Sequence, residues 1–262
     1  MPDLSNAIRS ALLTGESLAK VKATRRLVRQ WRRGELATGF RADMPDRPCW
    51  PERLELLPPG QMPRRGGGGS DRNRIALWHS LAHIEFVAID LALDIVGRFG
   101  AGMDQAFIAD FLSVAADEAM HFVLIERKLR TLGASYGDLP VHDGLWSAAF
   151  DTRHDVAARL AIVPMVLEAR GLDVTPAMIE RVRSQGDSGG ARILKRILDD
   201  EIRHVRAGST HFDAVCASRG SEPQECWKIL VKRHFKGGLK PPFNDSARLA
   251  AGLSREAYTA LA

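Results

Sequence analysis

The strongest constraint on this chain is a fragment that occurs twice. Asp117-Glu118-Ala119-Met120-His121 and Asp200-Glu201-Ile202-Arg203-His204 both read Asp-Glu-x-x-His. Residues three apart share a face of an α-helix, so the Glu and His of each copy can address one metal ion. Random placement of the 13 Glu and 8 His would give about 0.4 Glu-x-x-His pairs, so one copy means little and two, each led by Asp, mean more. The helical neighbours of Glu118 are Val114, Ala115 and Phe122, and those of Glu201 include Ile197, Leu198 and Val205. A lone carboxylate on such apolar faces is costly unless something neutralises it.

Two further carboxylates sit the same way. Glu85 has Leu81, Ala82, Ala88 and Ile89 around it at helical spacing. Glu168 follows Pro164 by four residues, and the amide hydrogen missing from that proline predicts a bend in the helix. From Glu85 to Glu118 is 33 residues, and from Glu168 to Glu201 is again 33. The repeat reads as two helical hairpins, each giving a Glu from its first helix and a Glu-x-x-His from its second. Packed antiparallel, they predict a four-helix bundle with four carboxylates and two imidazoles in its centre.

The remainder of the chain reads as helix with one irregular insertion. Residues 5 to about 35 carry apolar residues at helical spacing, with Ser5 as a cap and Gly15 as an interruption. Residues 40–74 collect Pro45, Pro48, Pro51, Pro58, Pro59 and Pro63, then Gly66 to Gly69: an extended segment lying across the main domain, and a flexible linker. Long helices are predicted over 71–99, 105–132, 146–171 and 191–219, with a shorter one opened by Thr175-Pro176 and another over 222–234. No strand pattern appears, so the class is all-α. The domain reading is a basic, Pro/Gly-rich extension over 1–74, a bundle over 75–219 and a C-terminal helical and irregular extension over 220–262.

Charge is uneven. Residues 1–74 hold 15 Lys plus Arg against 8 Asp plus Glu, although the whole chain is only +5. The surplus is densest from Lys20 to Arg33, a run that suits RNA or an acidic protein surface. A solvated helix face is the plainer alternative, because aromatic residues for base stacking are nearly absent there. Cys49, Cys216 and Cys226 show no zinc-like spacing and read as reduced thiols. The apolar stretch Ile84 to Phe99 is broken by Glu85, Asp90, Asp94 and Arg98, so no membrane span is expected. The polar N-terminus lacks the order of a signal peptide, and the expected compartment is the cytoplasm.

With these residues in hand, the chain resembles the ferritin-like di-iron carboxylate superfamily over about residues 75–215. More narrowly, His83-Ile84-Glu85, the loop from Tyr136 to Trp146, Leu167 to Asp173 and Leu239-Lys240-Pro241-Pro242-Phe243-Asn244 are similar to a bacterial family of uncharacterised ferritin-like proteins. Asp-Glu-x-Arg-His at 200–204 is also similar to a motif of di-iron monooxygenases and desaturases, from which the first copy departs at Met120. The resemblance implies two iron ions, with manganese an alternative, held by Glu85, Glu118, His121, Glu168, Glu201 and His204. Asp117 and Asp200 would fix the imidazoles from behind, and Arg203 would pair beside them. It further implies O2, an organic substrate and an external electron donor for a hydroxylase or oxidase. A modified tRNA base is one such substrate. The alternatives are a ferroxidase, iron- or peroxide-handling protein, and a metal-binding protein without catalysis. His79 and His83 face away from Glu85 and read as structural; His211 reads as an interface residue or a channel lining, and His142 with Asp143 as a lid or a helix cap.

Overall fold

The computed structural model describes residues 3–63 and 70–262, so Met1, Pro2 and the Arg64–Gly69 stretch, including the expected glycine linker, lie outside the described residues. Among the described residues the secondary structure is helical, and β pairing is limited to isolated bridges between Asp3 and Ala37 and between Leu56 and Val141. The chain divides into two compact units, residues 1–146 and 147–262.

The first unit holds helices α1 (Leu4–Leu12), α2 (Ser17–Arg32), α3 (Asp71–Phe99) and α4 (Gln105–Thr131). Asp3, not Ser5, caps α1: its carboxylate accepts the Ser5 and Asn6 amides, while the Ser5 hydroxyl accepts the Arg41 and Ala42 amides. A serine one residue inside a helix can turn back to hold another strand of chain, and this one does. Glu16 caps α2, giving the break expected at Gly15. Ser70 and Asp104 cap α3 and α4, where an acceptor satisfies one of the otherwise unpaired first-turn amides. From Phe86 to Val96 every residue of α3 is buried, which is the pattern of a core helix rather than a surface one. Gly100 ends that helix tightly under Phe40, whose ring would lie 2.3 Å from an added Cβ.

The Pro-rich segment is tied to the loop after α4. Val141 N donates to Glu55 O and Leu57 N to Val141 O, both at 2.9 Å, and Arg53 donates to the Tyr136 carbonyl. Lys20, counted by sequence with the basic run, is instead fully buried. Its Nζ meets Asp90 Oδ1 at 2.5 Å and also donates to the Leu12 and Cys49 carbonyls. The other basic residues of that run, Lys22, Arg25, Arg26, Arg29, Arg32 and Arg33, are exposed.

The helix α5 (Gly144–Asp151) spans the boundary between the units. The second unit contains α6 (Val156–Ile162), a π turn (Val163–Glu168), α7 (Ala169–Ser184), α8 (Ser188–Ser218), α9 (Pro223–His234), α10 (Asp245–Ala250) and α11 (Arg255–Thr259). The single helix expected over 146–171 is broken at Thr152 to Asp155, where Asp155 starts α6 by accepting the Ala157 amide. The helix start expected at Thr175-Pro176 is absent: Pro176 lies inside α7. A proline there leaves the carbonyl of Leu172 without its helical donor, and the Asn244 side chain supplies one at 3.1 Å. Asn244 N and the guanidinium of Arg248 both bind Asp173, so the Lys-Pro-Pro-Phe-Asn segment acts as a clamp on α7. No helix among the described residues is long and apolar enough to cross a membrane.

Candidate metal centre

In the first unit α3 and α4 pack along their lengths, connected only by residues 100–104. That pairing brings Glu85, Glu118 and His121 together. His121 Nδ1 lies 3.2 Å from Glu85 Oε2 and 3.3 Å from Glu118 Oε2, and one donor atom from each residue falls within 4.8 Å of the others. All three are buried, Glu118 and His121 to 1% and 0% exposure.

The electrostatics follow from that crowding. Burial, and then the adjacent charge of Glu118, push the Glu85 carboxyl well above the usual carboxylate range. Burial disfavours a charged His121, but hydrogen bonds and charge from Glu118 and Glu85 outweigh it and raise the imidazole to about 11. A cation entering this crowded, dry site would compete with the proton that burial favours on Glu85. This buried Glu/Glu/His cluster has the donors and spacing to hold a metal ion.

An aromatic trio packs between α3, α4 and the loop after α4. Phe86 and Phe122 each follow a cluster residue in sequence, and their ring centroids lie 5.4 Å apart and 5.2 and 5.3 Å from Tyr136. His83 faces away from the cluster: its Nε2 donates to the His142 carbonyl at 3.0 Å and its Nδ1 accepts the Tyr136 hydroxyl at 2.8 Å. His79 Nε2 accepts the amides of Gly137 and Leu139 at 2.9 and 3.3 Å. Both histidines therefore fasten the loop after α4. His142 Nδ1 accepts the Gly144 amide where α5 begins, the cap role, and Asp143 pairs with Arg47 at 2.6 Å.

In the second unit α8 carries Glu201 and His204, with His204 Nδ1 3.6 Å from Glu201 Oε1. His204 is buried, and the side chain of Glu201 is 13% exposed. Glu168 is half-buried and closes the π turn, whose defining bond runs from Ala169 N to Pro164 O. The bend expected at Pro164 is thus a π turn, the form in which one extra residue is accommodated in a helix. It packs against Gly208, one turn beyond His204, where an added Cβ would lie 2.4 Å from Pro164 Cβ. Asp200 is held by Arg196 at 2.6 Å and by Arg203, whose side chain is largely exposed; Asp117 is half-buried on α4, and His211 is buried further along α8.

The residues that sequence reasoning missed are Tyr136, Trp50, Asp90 and Lys20. Trp50 Nε1 donates to Asp90 Oδ2 at 2.9 Å, and its ring meets His83 edge-on. Lys20 was legible in principle, since it shares a helical stripe with Ser17, Val21, Thr24 and Leu27.

A 39% identical protein from Haemophilus influenzae, described as an uncharacterized protein, aligns over 213 residues, 79% of this chain and 74% of its own length. No solved structure matches the chain. Residues 13–259 match the family described as protein of unknown function DUF455, and the chain belongs to that family.

Proposed function

We propose that this protein is a ferritin-like di-metal oxidoreductase: the two Glu, Glu-x-x-His sets would hold two ions for the O2-dependent oxidation of an organic substrate. The observation that carries the reading is the Glu85, Glu118 and His121 cluster, in which buried carboxylates crowd together and one imidazole nitrogen turns toward both. A divalent cation relieves that crowding. Carboxylate oxygens mixed with imidazole suit iron, or manganese, better than zinc. When bound, two irons supply a two-electron reduction of O2 coupled to oxidation of a nearby substrate.

The roles of the chain's own groups are these. Glu85, Glu118 and His121 would hold one ion and Glu168, Glu201 and His204 the other, with His121 and His204 each offering Nδ1, the nitrogen turned toward its glutamate. Asp117 and Asp200 would steady the imidazoles, with Arg196 and Arg203 paired to Asp200. The burial of Glu85, Glu118 and His121 themselves would keep water from the first set. A base carried on RNA is one substrate class that the exposed row of Lys22, Arg25, Arg26 and Arg29 on α2 would help to hold.

The test is O2 uptake by protein loaded anaerobically with Fe(II), with a reductant and a small-molecule or tRNA extract. Consumption of a compound that needs both O2 and Glu201 supports the oxidoreductase. Continued oxidation of added iron to a mineral, with no organic compound consumed, assigns the protein to iron handling instead. Absence of both activities with metal bound leaves a non-catalytic metal protein.

A further inference from the structure

One face of α2 serves neither the ligand sets nor the core. Residues 17–33 contain no Asp or Glu, and every exposed residue among them is Lys or Arg: Lys22, Arg25, Arg26, Arg29, Arg32 and Arg33. At about 100° per residue these six lie within an arc of about 120°, and they run roughly 16 Å along the helix. The opposite side, Ser17, Lys20, Val21, Thr24, Leu27 and Val28, is buried, with Lys20 paired to Asp90. Among the described residues the pairings of the exposed row are slight: Arg33 meets Glu35 at 3.7 Å, both exposed, and Arg32 donates to the Ser113 hydroxyl at 3.3 Å. Like charges three and four apart repel along a helix, so the row works against α2 unless an anion meets it.

We propose that this face of α2 docks the phosphate backbone of a double-stranded RNA segment. The core of a protein interface is apolar, and the row exposes no apolar residue. A membrane-surface helix turns its apolar side to lipid, whereas that side of α2 is buried in the protein. A single strand is held by bases stacked on aromatic rings, and the one aromatic residue of α2, Trp31, is half-buried. A duplex asks only for cations along its backbone. A-form RNA hides its base edges in a deep, narrow groove and is recognised through shape, phosphates and 2′-hydroxyls. Five of the six cations are Arg, whose planar fork offers two N–H donors to one phosphate. Because α2 is already folded against α1 and α4, docking orders side chains and not backbone. The choice of RNA over DNA rests on the RNA-borne substrate class named in the reading above.

The test is fluorescence anisotropy of a labelled RNA duplex with metal-free, full-length protein. The competitors are unlabelled RNA duplex, duplex DNA of the same sequence, single-stranded RNA, polyglutamate and phosphatidylserine vesicles. Expected is binding that is indifferent to sequence, is displaced best by RNA duplex, and weakens by about 10³ between 50 and 200 mM salt, as about six phosphate contacts require. Arg25→Gln, Arg26→Gln and Arg29→Gln combined should lower the slope of log affinity against log salt by about three, with helicity unchanged. Lys232→Gln, Arg233→Gln and Lys236→Gln combined, which remove as many exposed charges from the second unit, should leave that slope as it is. No binding by the wild type, equal losses in the two variants, or better displacement by any competitor other than RNA duplex would each overturn the proposal. With metal absent, the result is independent of O2 uptake: docking without oxidation contradicts the oxidoreductase alone, and oxidation without docking contradicts the RNA surface alone.

Discussion

The two Glu, Glu-x-x-His sets use the same residue types at the same spacing, yet they are built differently. In the first, Glu85 and Glu118 come from uninterrupted α-helices and are buried together with His121. In the second, Glu168 closes a π turn at Pro164, Glu201 is partly exposed, and two arginines hold the aspartate of the motif. The difference teaches that a duplicated sequence pattern need not be a duplicated environment. The first set is dry and crowded with carboxylate groups; in the second, Glu168 closes a π turn, the kind of turn frequent at functional sites.

The largest effects should come from the carboxylates. Glu118→Ala and Glu201→Ala should each weaken metal binding by more than the ~100-fold typical of losing an outer partner, measured as metal retained after dialysis. Equal losses would mean that the sets act as a unit, and unequal losses would rank them. Glu85→Gln sharpens the electrostatic contrast. Because the Glu85 carboxyl already favours its protonated form, the amide should change metal-free stability by less than about 0.5 kcal/mol. It should also abolish the rise in melting temperature on metal addition, a gain of about 3–4 kcal/mol at saturating metal in the wild type. A large loss of metal-free stability would contradict the crowding argument.

Gly208→Ala probes the second set alone. With no room beside Pro164, the extra methyl should cost about 1–3 kcal/mol and disturb Glu168 rather than Glu85. Unchanged stability by chemical denaturation would show that the π turn yields freely. The smallest effect concerns the loop beside the first set. Burial, helped by the charge of Arg53 and opposed by Asp138, lowers His79 to about 4 from an ordinary 6.5. A depressed histidine stabilises in its neutral form. Its contribution is therefore complete above 6.5, and it fades as pH falls toward 4. His79→Gln keeps an acceptor for the two loop amides but cannot titrate, so its stability profile should be flatter across that window; identical profiles would rule out the clamp.

Much of this was readable from residue order, because the groups concerned are local. Each Glu-x-x-His depends on helix periodicity alone, and the caps and helix ends of α3 and α4 follow from Ser, Asp and Gly at their boundaries. Glu85 was readable from its apolar helical neighbours, and the structure places it beside Glu118 and His121. What escaped depends on contacts between distant segments. Pro176 reads as a helix start, and its place inside α7 rests on a donor from Asn244, 68 residues on. Lys20 reads as one more surface cation, and only the Asp90 carboxylate across from it explains its burial; that burial pushes Asp90 up to about 6 despite the opposing pull of Lys20 and Trp50. The break before α6 and the loop bonds to His79 and His83 likewise need partners that no local pattern names.

The central claim rests most directly on metal stoichiometry. Protein loaded with Fe(II) under anaerobic conditions, desalted and assayed for iron should retain two ions per chain in the wild type and lose them in Glu118→Ala without loss of helicity. Fewer than one iron or manganese per chain in folded wild-type protein, or full retention by Glu118→Ala, would contradict it.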